Sequence, residues 1–474
     1  MKLTIQHDTY DTLLLPTDWR FSAAITGIYF YFEFQGDGYE KISYDKGYRH
    51  KDSGFTGIAY KQEDIQTERF LKFAESFFAK EFSHIKAQHL MAGEKGWDKE
   101  QLKEVNDALT ANTILKKVIG KHRFDGNNQA EIQALLDDNR IDIIRETFRN
   151  KKNLYANYAN PNLMFSGDAG PNLHCRLKGF NVDGNRKSKE TTFQFNLSGL
   201  NTTDIPEFDF IPFSFTNSYE SFFINNNTSI EALIQTARTM QEILAAEYEK
   251  RPSDRVILMN YLEQAADFID FDVEVIVKNR AKDYYETMFI RKPALSALIA
   301  MGDVSALNFR CELGKDYWLN VQEEVYERCL NQLYLDDLIE LMLKLRISED
   351  NSYISYVAEK LISLNIRWKE NLMNKEELIE KIELARKCGY LTAKKLVDGG
   401  AENKRKSYRT KLTSALVFHD YDRVNEILLQ LSAYSEISYP FAYALFEDGE
   451  KHKDIAFAFV NALEISKKIP GGNQ

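Results

Sequence analysis

From Asp316 to the end of the chain, apolar residues recur at helical spacing in roughly seven stretches. Only short breaks separate them, near Ser348-Glu349-Asp350, Asn374, Gly389, Gly399-Gly400, Asp420, Ser438 and Gly449. Amphipathic helices joined by short connections have one economical arrangement, an antiparallel bundle, because each must bury its stripe against a neighbour. No strict repeat of twenty to fifty residues runs through them, so a solenoid is not favoured. A helical bundle over 316–474 is therefore expected.

The preceding 315 residues read as a mixed α/β domain, giving an α+β chain overall. Phe21 to Phe34 is mainly apolar, β-branched or aromatic, and a Gly-rich turn, Gln35-Gly36-Asp37-Gly38-Tyr39, leads into Glu40-Lys41-Ile42-Ser43-Tyr44-Asp45. That order suggests two strands across a glycine turn. Ala23 to Tyr31 fits a short buried helix equally well. Phe70, Phe73, Ala74, Phe77 and Phe78 then fall on one helical face. Between 150 and 227 the helical period disappears, and Asn, Gly, Ser and Phe dominate. The alternation of Phe208, Phe210, Phe213 and Phe215 with other residues suggests short strands there. An irregular stretch this long, and this aromatic, is expected to be functional rather than a mere connection. After Ser229 the pattern is helical, except for Ile269 to Val277, which alternates like a strand.

The chain has 474 residues and a net charge of −10, which excludes a general basic coat for nucleic acid but not a local patch. No run of about 18 apolar residues exists, so no membrane span is expected. The opening MKLTIQHDTY lacks a signal peptide's apolar core, so a cytoplasmic location is expected. Four cysteines lie far apart with no C-x-x-C, so they read as reduced and buried rather than as a metal or redox motif. No phosphate-binding glycine loop, G-x-S-x-G or H-E-x-x-H occurs. No catalytic residue, metal or cofactor is expected. The alternative is a metal-dependent nuclease: Asp270, Asp272 and Glu274 would share one face of a strand and hold Mg²⁺. A solvated strand face accounts for the same alternation, and Ile276 stands two residues before Lys278, where such a site needs an acid. A second alternative is a purely structural interaction protein.

Local charge points to binding. Arg145, Arg149, Lys151, Lys152, Arg176, Lys178, Arg186, Lys187 and Lys189 face only Glu146, Asp168 and Asp183 in the same stretch. Asn172, Asn181 and Asn185, with several aromatics, are interleaved. Cations hold phosphates, while Asn and Arg read base edges. A second basic run, Lys404, Arg405, Lys406, Arg409 and Lys411, opens a helix after Gly399-Gly400 and would hold a backbone without reading sequence.

Three segments carry a resemblance. They are LPTDWRFSAAITGIYFYFE (Leu15 to Glu33), FDFIPFSFTNSYESFFINNN (Phe208 to Asn227), and the C-terminal YRTKLTSALVFHDYDRVNEILLQL with EDGEKHKDIAFAFVNAL (Tyr408 to Leu431 and Glu447 to Leu463). Together they resemble the large subunit of type I CRISPR surveillance complexes (Cascade) of the I-B kind. Two departures stand out. Asn461-Ala462-Leu463 occupies the place of a usual Gly-Leu, and only His174-Cys175 remains where some relatives carry paired C-x-x-C motifs. The resemblance implies a non-catalytic role in antiviral defence. Such a subunit recognises a protospacer-adjacent motif in double-stranded target DNA, promotes strand opening into an R-loop, and docks a helicase-nuclease. It implies guide RNA, backbone and handle-binding subunits and small-subunit copies as partners, with the C-terminal bundle resembling a small subunit. In that frame the motif-reading loop is expected at Asn172, Arg176, Lys178, Asn181, Asn185, Arg186, Lys187 and Lys189. Backbone contacts are expected at Arg145, Arg149, Lys151 and Lys152 and at Lys404 to Lys411. An internal start such as Met342 would fit a separate small-subunit product by position.

Overall fold

The computed structural model describes residues 1–36, 42–49, 56–93, 97–165, 176–179, 204–247, 257–258, 261–262, 272–292, 294, 307–315, 317–348, 352–369 and 375–464. The chain is α+β, and it divides into two compact units. One comprises Met1–Tyr261 and Asp272–Ile290, the other Leu262–Phe271 and Arg291–Gln474.

In the first unit, β1 (Lys2–Thr4), β2 (Thr12–Leu14), β3 (Ile42–Arg49) and β4 (Thr56–Tyr60) form an antiparallel sheet in the order β1-β2-β4-β3. The apolar run after Pro16 is a helix, α1 (Trp19–Phe34), and not the first strand of a hairpin. Asp18 starts it, with Oδ1 accepting from the Arg20 amide at 2.8 Å. Trp19 and Phe21 to Phe32 are all buried, so the helix has no polar face whose period would reveal it. Gly27 allows the closest approach to it: a Cβ there would lie 2.2 Å from the Phe210 carbonyl oxygen. Phe210 belongs to a 3₁₀ segment, Pro206–Ser214, which replaces the strands suggested by the phenylalanine alternation. Prolines at 206 and 212 remove amide donors that a strand ladder would need.

The helices that follow are α2 (Thr67–Phe77), α3 (Ser83–Met91), α4 (Lys99–Leu109), α5 (Thr113–Ile119), α6 (Gln129–Asp138), α7 (Arg140–Asn150), the single turn α8 (Tyr155–Tyr158) and α9 (Ile230–Glu247). The α2 stripe meets Phe213 of the 3₁₀ segment. Ring centroids lie 5.4 Å from Phe70, 4.5 Å from Phe73 and 5.1 Å from Phe78. This aromatic core fixes the 3₁₀ segment against α1 and α2. A second sheet, β5 (Glu220–Asn225), β6 (Val273–Asn279) and β7 (Glu286–Ile290), is antiparallel with β6 central. The strand expected around Ile269 to Val277 is β6, shifted towards its C-terminal end.

The second unit holds a hairpin that the sequence pattern did not signal, β8 (Arg310–Gly314) with β9 (Tyr317–Asn320). Its helices are α10 (Val321–Leu330), α11 (Asp336–Ser348), α12 (Ser352–Trp368), α13 (Lys375–Asp398), α14 (Glu402–Val417), α15 (Tyr421–Ser435), α16 (Ala442–Glu447) and α17 (Lys453–Ala462). They form the helical bundle. No break occurs at Gly389, because α13 runs through it. A Cβ at Gly389 would lie 2.6 Å from the Phe459 carbonyl oxygen and 2.9 Å from Ala462 Cβ. The glycine is a contact point for α17, not a terminator. Ala462 of the departing Asn461-Ala462-Leu463 motif is the residue that packs there. No helix among the described residues is long and apolar enough to cross a membrane.

Candidate nucleic-acid interface

Arg176, Leu177, Lys178 and Gly179 lie beside the chain end of α8. Leu177 bridges Ala159, the Lys178 amide donates to Tyr158 O at 3.1 Å, and the Asn160 amide donates to Arg176 O at 2.7 Å. On the other side is the β6–β7 turn. Gly179 has φ +80°, and a Cβ there would meet Tyr284 Cα at 2.8 Å, so only glycine fits both the backbone and the space. Tyr285 closes the triangle, its hydroxyl donating to Tyr158 O at 2.8 Å.

This packing gathers cations that are distant in sequence. Lys178 Nζ donates to Ala156 O and lies 3.7 Å from Asp283 Oδ1. Lys278, on β6, is fully buried and donates to Asn279 O at 2.9 Å and to Lys282 O. Burial lowers the Lys278 pKa to about 8, helped by the positive charges of Lys178 and Lys152 and opposed by Asp283. The exposed Lys152 therefore belongs to the same field. The Arg280 guanidinium stacks over the Tyr219 ring at 5.8 Å. It also acts on the Tyr158 hydroxyl, whose pKa burial raises and Arg280 partly restores. Sequence reasoning missed Lys278 and Arg280. The signal was present in Lys278-Asn279-Arg280-Ala281-Lys282, three cations in five residues at the end of a strand.

Arg176 is placed differently. Its side chain is 1% exposed. Its amide donates to Asp204 Oδ1 at 3.0 Å, Nε lies 3.3 Å from the same atom, and Nη1 donates to Asp209 Oδ1 at 2.9 Å and to Leu163 O at 3.2 Å. Asp209 also accepts from the Tyr155 hydroxyl and, at 2.9 Å, from the Phe165 amide. Burial raises the Asp209 pKa against the pull of Arg176. This is a core clamp, and its guanidinium has no surface to offer. Asn172, Asn181, Asn185, Arg186, Lys187 and Lys189 lie outside the described residues.

Of the cations on and after α7, four have acidic partners: Arg140 with Glu75 at 3.0 Å, Arg145 with Asp142 at 2.8 Å, Arg149 with Glu146 at 3.5 Å, and Lys151 with Glu81. The second basic run divides in two. Arg405 and Arg409 are 5% and 8% exposed. Together with Arg346 they surround Glu464: Arg346 Nη2 lies 3.0 Å and Arg405 Nη1 3.4 Å from Oε1, and Arg409 pairs with Oε2. Arg405 also donates to Leu463 O and Arg409 to Arg346 O, both at 3.1 Å, tying the end of α17 to α11 and α14. Lys404, Lys406 and Lys411 are exposed. Lys406 lies 3.4 Å from Glu402, and Lys411 sits 5.9 Å from the Tyr408 ring centre.

Asp270 lies outside the described residues. Asp272 is exposed ahead of β6, and Glu274 accepts from Asn225 Nδ2 at 2.7 Å. Among the described residues, no three metal-ligating side chains come together. Cys311, Cys329 and Cys388 are buried.

The family model for CRISPR-associated protein Csx8 matches residues 10–256 and 238–463. No curated protein and no solved structure matches the chain. The matched segments take in both basic regions and nearly the whole of both units, so the chain belongs to the CRISPR-associated Csx8 family.

Proposed function

We propose that the protein is the non-catalytic large subunit of a guide-RNA-directed, Cascade-like complex in the cytoplasm. In this reading it recognises a short motif in duplex DNA, helps to open the strands and docks a helicase-nuclease, alongside backbone, handle-binding and small subunits. Family membership supports a CRISPR role. The observation that carries the DNA-binding part is the exposed Lys152 and the half-buried Lys178, which share one field with the buried Lys278 beneath them in a chain that is acidic overall. In such systems RNA pairing reads the long sequence and the protein reads only a short motif, so a small basic area suffices. Lys404 and Lys411, exposed on α14, add a second place for phosphates.

The test is binding of labelled duplex DNA to the full chain across a salt series. Wild-type affinity should fall steeply with salt. Lys152→Ala with Lys178→Ala should flatten the log–log slope by about 2, one per phosphate contact removed. A wild-type chain with no salt-dependent duplex binding would leave a purely structural interaction protein as the account.

A further inference from the structure

Away from the basic cluster, α1, α2 and α9 line a separate, open pocket of 290 Å³. Its apolar wall is made of phenylalanine rings. Phe34 and Phe73 have centroids 5.7 Å apart, and Phe73 and Phe77 5.5 Å apart. Phe34 is 46% exposed, so one ring of this wall is open to solvent. The rim is polar: Glu33, Arg238 and Gln241. Arg238 donates to the Tyr29 hydroxyl at 2.9 Å and to Glu33, and its guanidinium lies 5.4 Å from the Tyr29 ring centre. Both rim charges are therefore held in place, side by side, one a donor and one an acceptor. The described contacts of Glu33 use Oε1, and a carboxylate offers acceptor sites on both oxygens.

We infer that this pocket binds a single nucleobase, with guanine as the matching base. An aromatic face with hydrogen-bonding groups at its edge is how proteins take an unstacked base. The volume, 290 Å³, lies just below the roughly 300–1,000 Å³ of drug-sized sites, which matches a ligand as small as one base. Glu33 and Arg238 supply the complementary order. Guanine presents its N1–H and N2–H₂ donors beside its O6 acceptor, so the carboxylate accepts from the first two while the guanidinium donates to O6. Adenine has no such donor pair and places its amino group where Arg238 would have to donate. Gln241, with both a donor and an acceptor, is neutral between them.

The experiment is saturation-transfer NMR and titration of the full chain with guanosine monophosphate and adenosine monophosphate. The wild type should bind the guanine nucleotide about tenfold or more tightly than the adenine one, the scale of a lost bidentate contact. Phe34→Ala, a change at a half-exposed ring, should weaken both by about tenfold through lost stacking. Glu33→Gln should abolish the preference while adenosine monophosphate binding persists. Absence of binding by either nucleotide at millimolar concentration would overturn the assignment. So would equal binding by the wild type, or binding insensitive to Phe34→Ala. Binding of an apolar-anchored peptide that is lost in Phe34→Ala, with no nucleotide binding, would also overturn it and give the pocket to a protein partner. The salt-dependent duplex assay runs in parallel. Phe34→Ala should leave its slope unchanged, and Lys152→Ala with Lys178→Ala should leave nucleotide binding unchanged, so each claim fails separately.

Discussion

Replacing Arg176 by alanine separates a core clamp from a DNA-reading residue. The substitution leaves Asp209 buried, at 2% exposure, without its guanidinium. Removing one partner of a buried ion pair costs about 3–5 kcal/mol, because the remaining charge stays desolvated. That is a large share of the roughly 5–15 kcal/mol that holds a typical domain together. Lys178→Ala, by contrast, removes a contact with the exposed Asp283 and should cost no more than about 1 kcal/mol. Trp19 reports on the first unit, since its ring lies 4.8 Å from Tyr285 and 6.3 Å from Phe215. Urea unfolding followed by tryptophan fluorescence therefore measures both losses. The pH dependence has a definite sign. Burial already raises the Asp209 pKa, and loss of Arg176 raises it further, so the folded variant binds more protons than the unfolded chain. The Arg176→Ala deficit should shrink as pH falls below 7 towards the usual carboxylate range. A variant that loses less than about 1 kcal/mol but no longer binds duplex would refute this placement of Arg176.

Burial lowers the Lys278 pKa to about 8, so above that pH the unfolded chain binds more protons than the folded one; stability in urea should rise from pH 8 towards the ordinary lysine value, and Lys278→Met should remove the rise. Gly389→Ala gains about 1 kcal/mol of helix propensity but drives a methyl group into Phe459 O and Ala462, an overpacking cost of about 1–3 kcal/mol. Thermal unfolding should therefore show net destabilisation, and an unchanged or raised Tm would mean that α13 and α17 are not in such close contact. Glu450 has its pKa lowered to about 2 by hydrogen bonds from Lys453 and Tyr421. Its contribution is present above the ordinary carboxylate range and lost as pH falls towards 2, so the Tm gap between wild type and Glu450→Gln should close across that interval.

How far the sequence could be read depends on what each pattern measures. The bundle was legible because its helices keep a polar face, and periodicity sees the contrast between faces. The α1 segment was ambiguous for the opposite reason: with Phe21 to Phe32 all buried, there is no contrast to detect. The Asp18 cap was the better clue. Phe208 to Phe215 alternates like a strand, yet Pro206 and Pro212 argue against one, and the proline signal wins. At the candidate interface, charge density along the chain located Lys152 and Lys178. It could not distinguish them from Arg176, because burial depends on Asp204 and Asp209, 28 and 33 residues further on. The same blindness affected Arg405 and Arg409, which are held by Glu464. Lys278 joins the cluster only through the pairing of β5, β6 and β7, a long-range event that no local count registers.

Membership of a guide-RNA complex is the claim on which the rest depends. Its most direct test is a tagged purification of this chain from its own operon, with sequencing of the RNA that comes with it. The account predicts a uniform short RNA with a constant repeat-derived end, accompanied by several partner proteins. A clean, RNA-free monomer would contradict it.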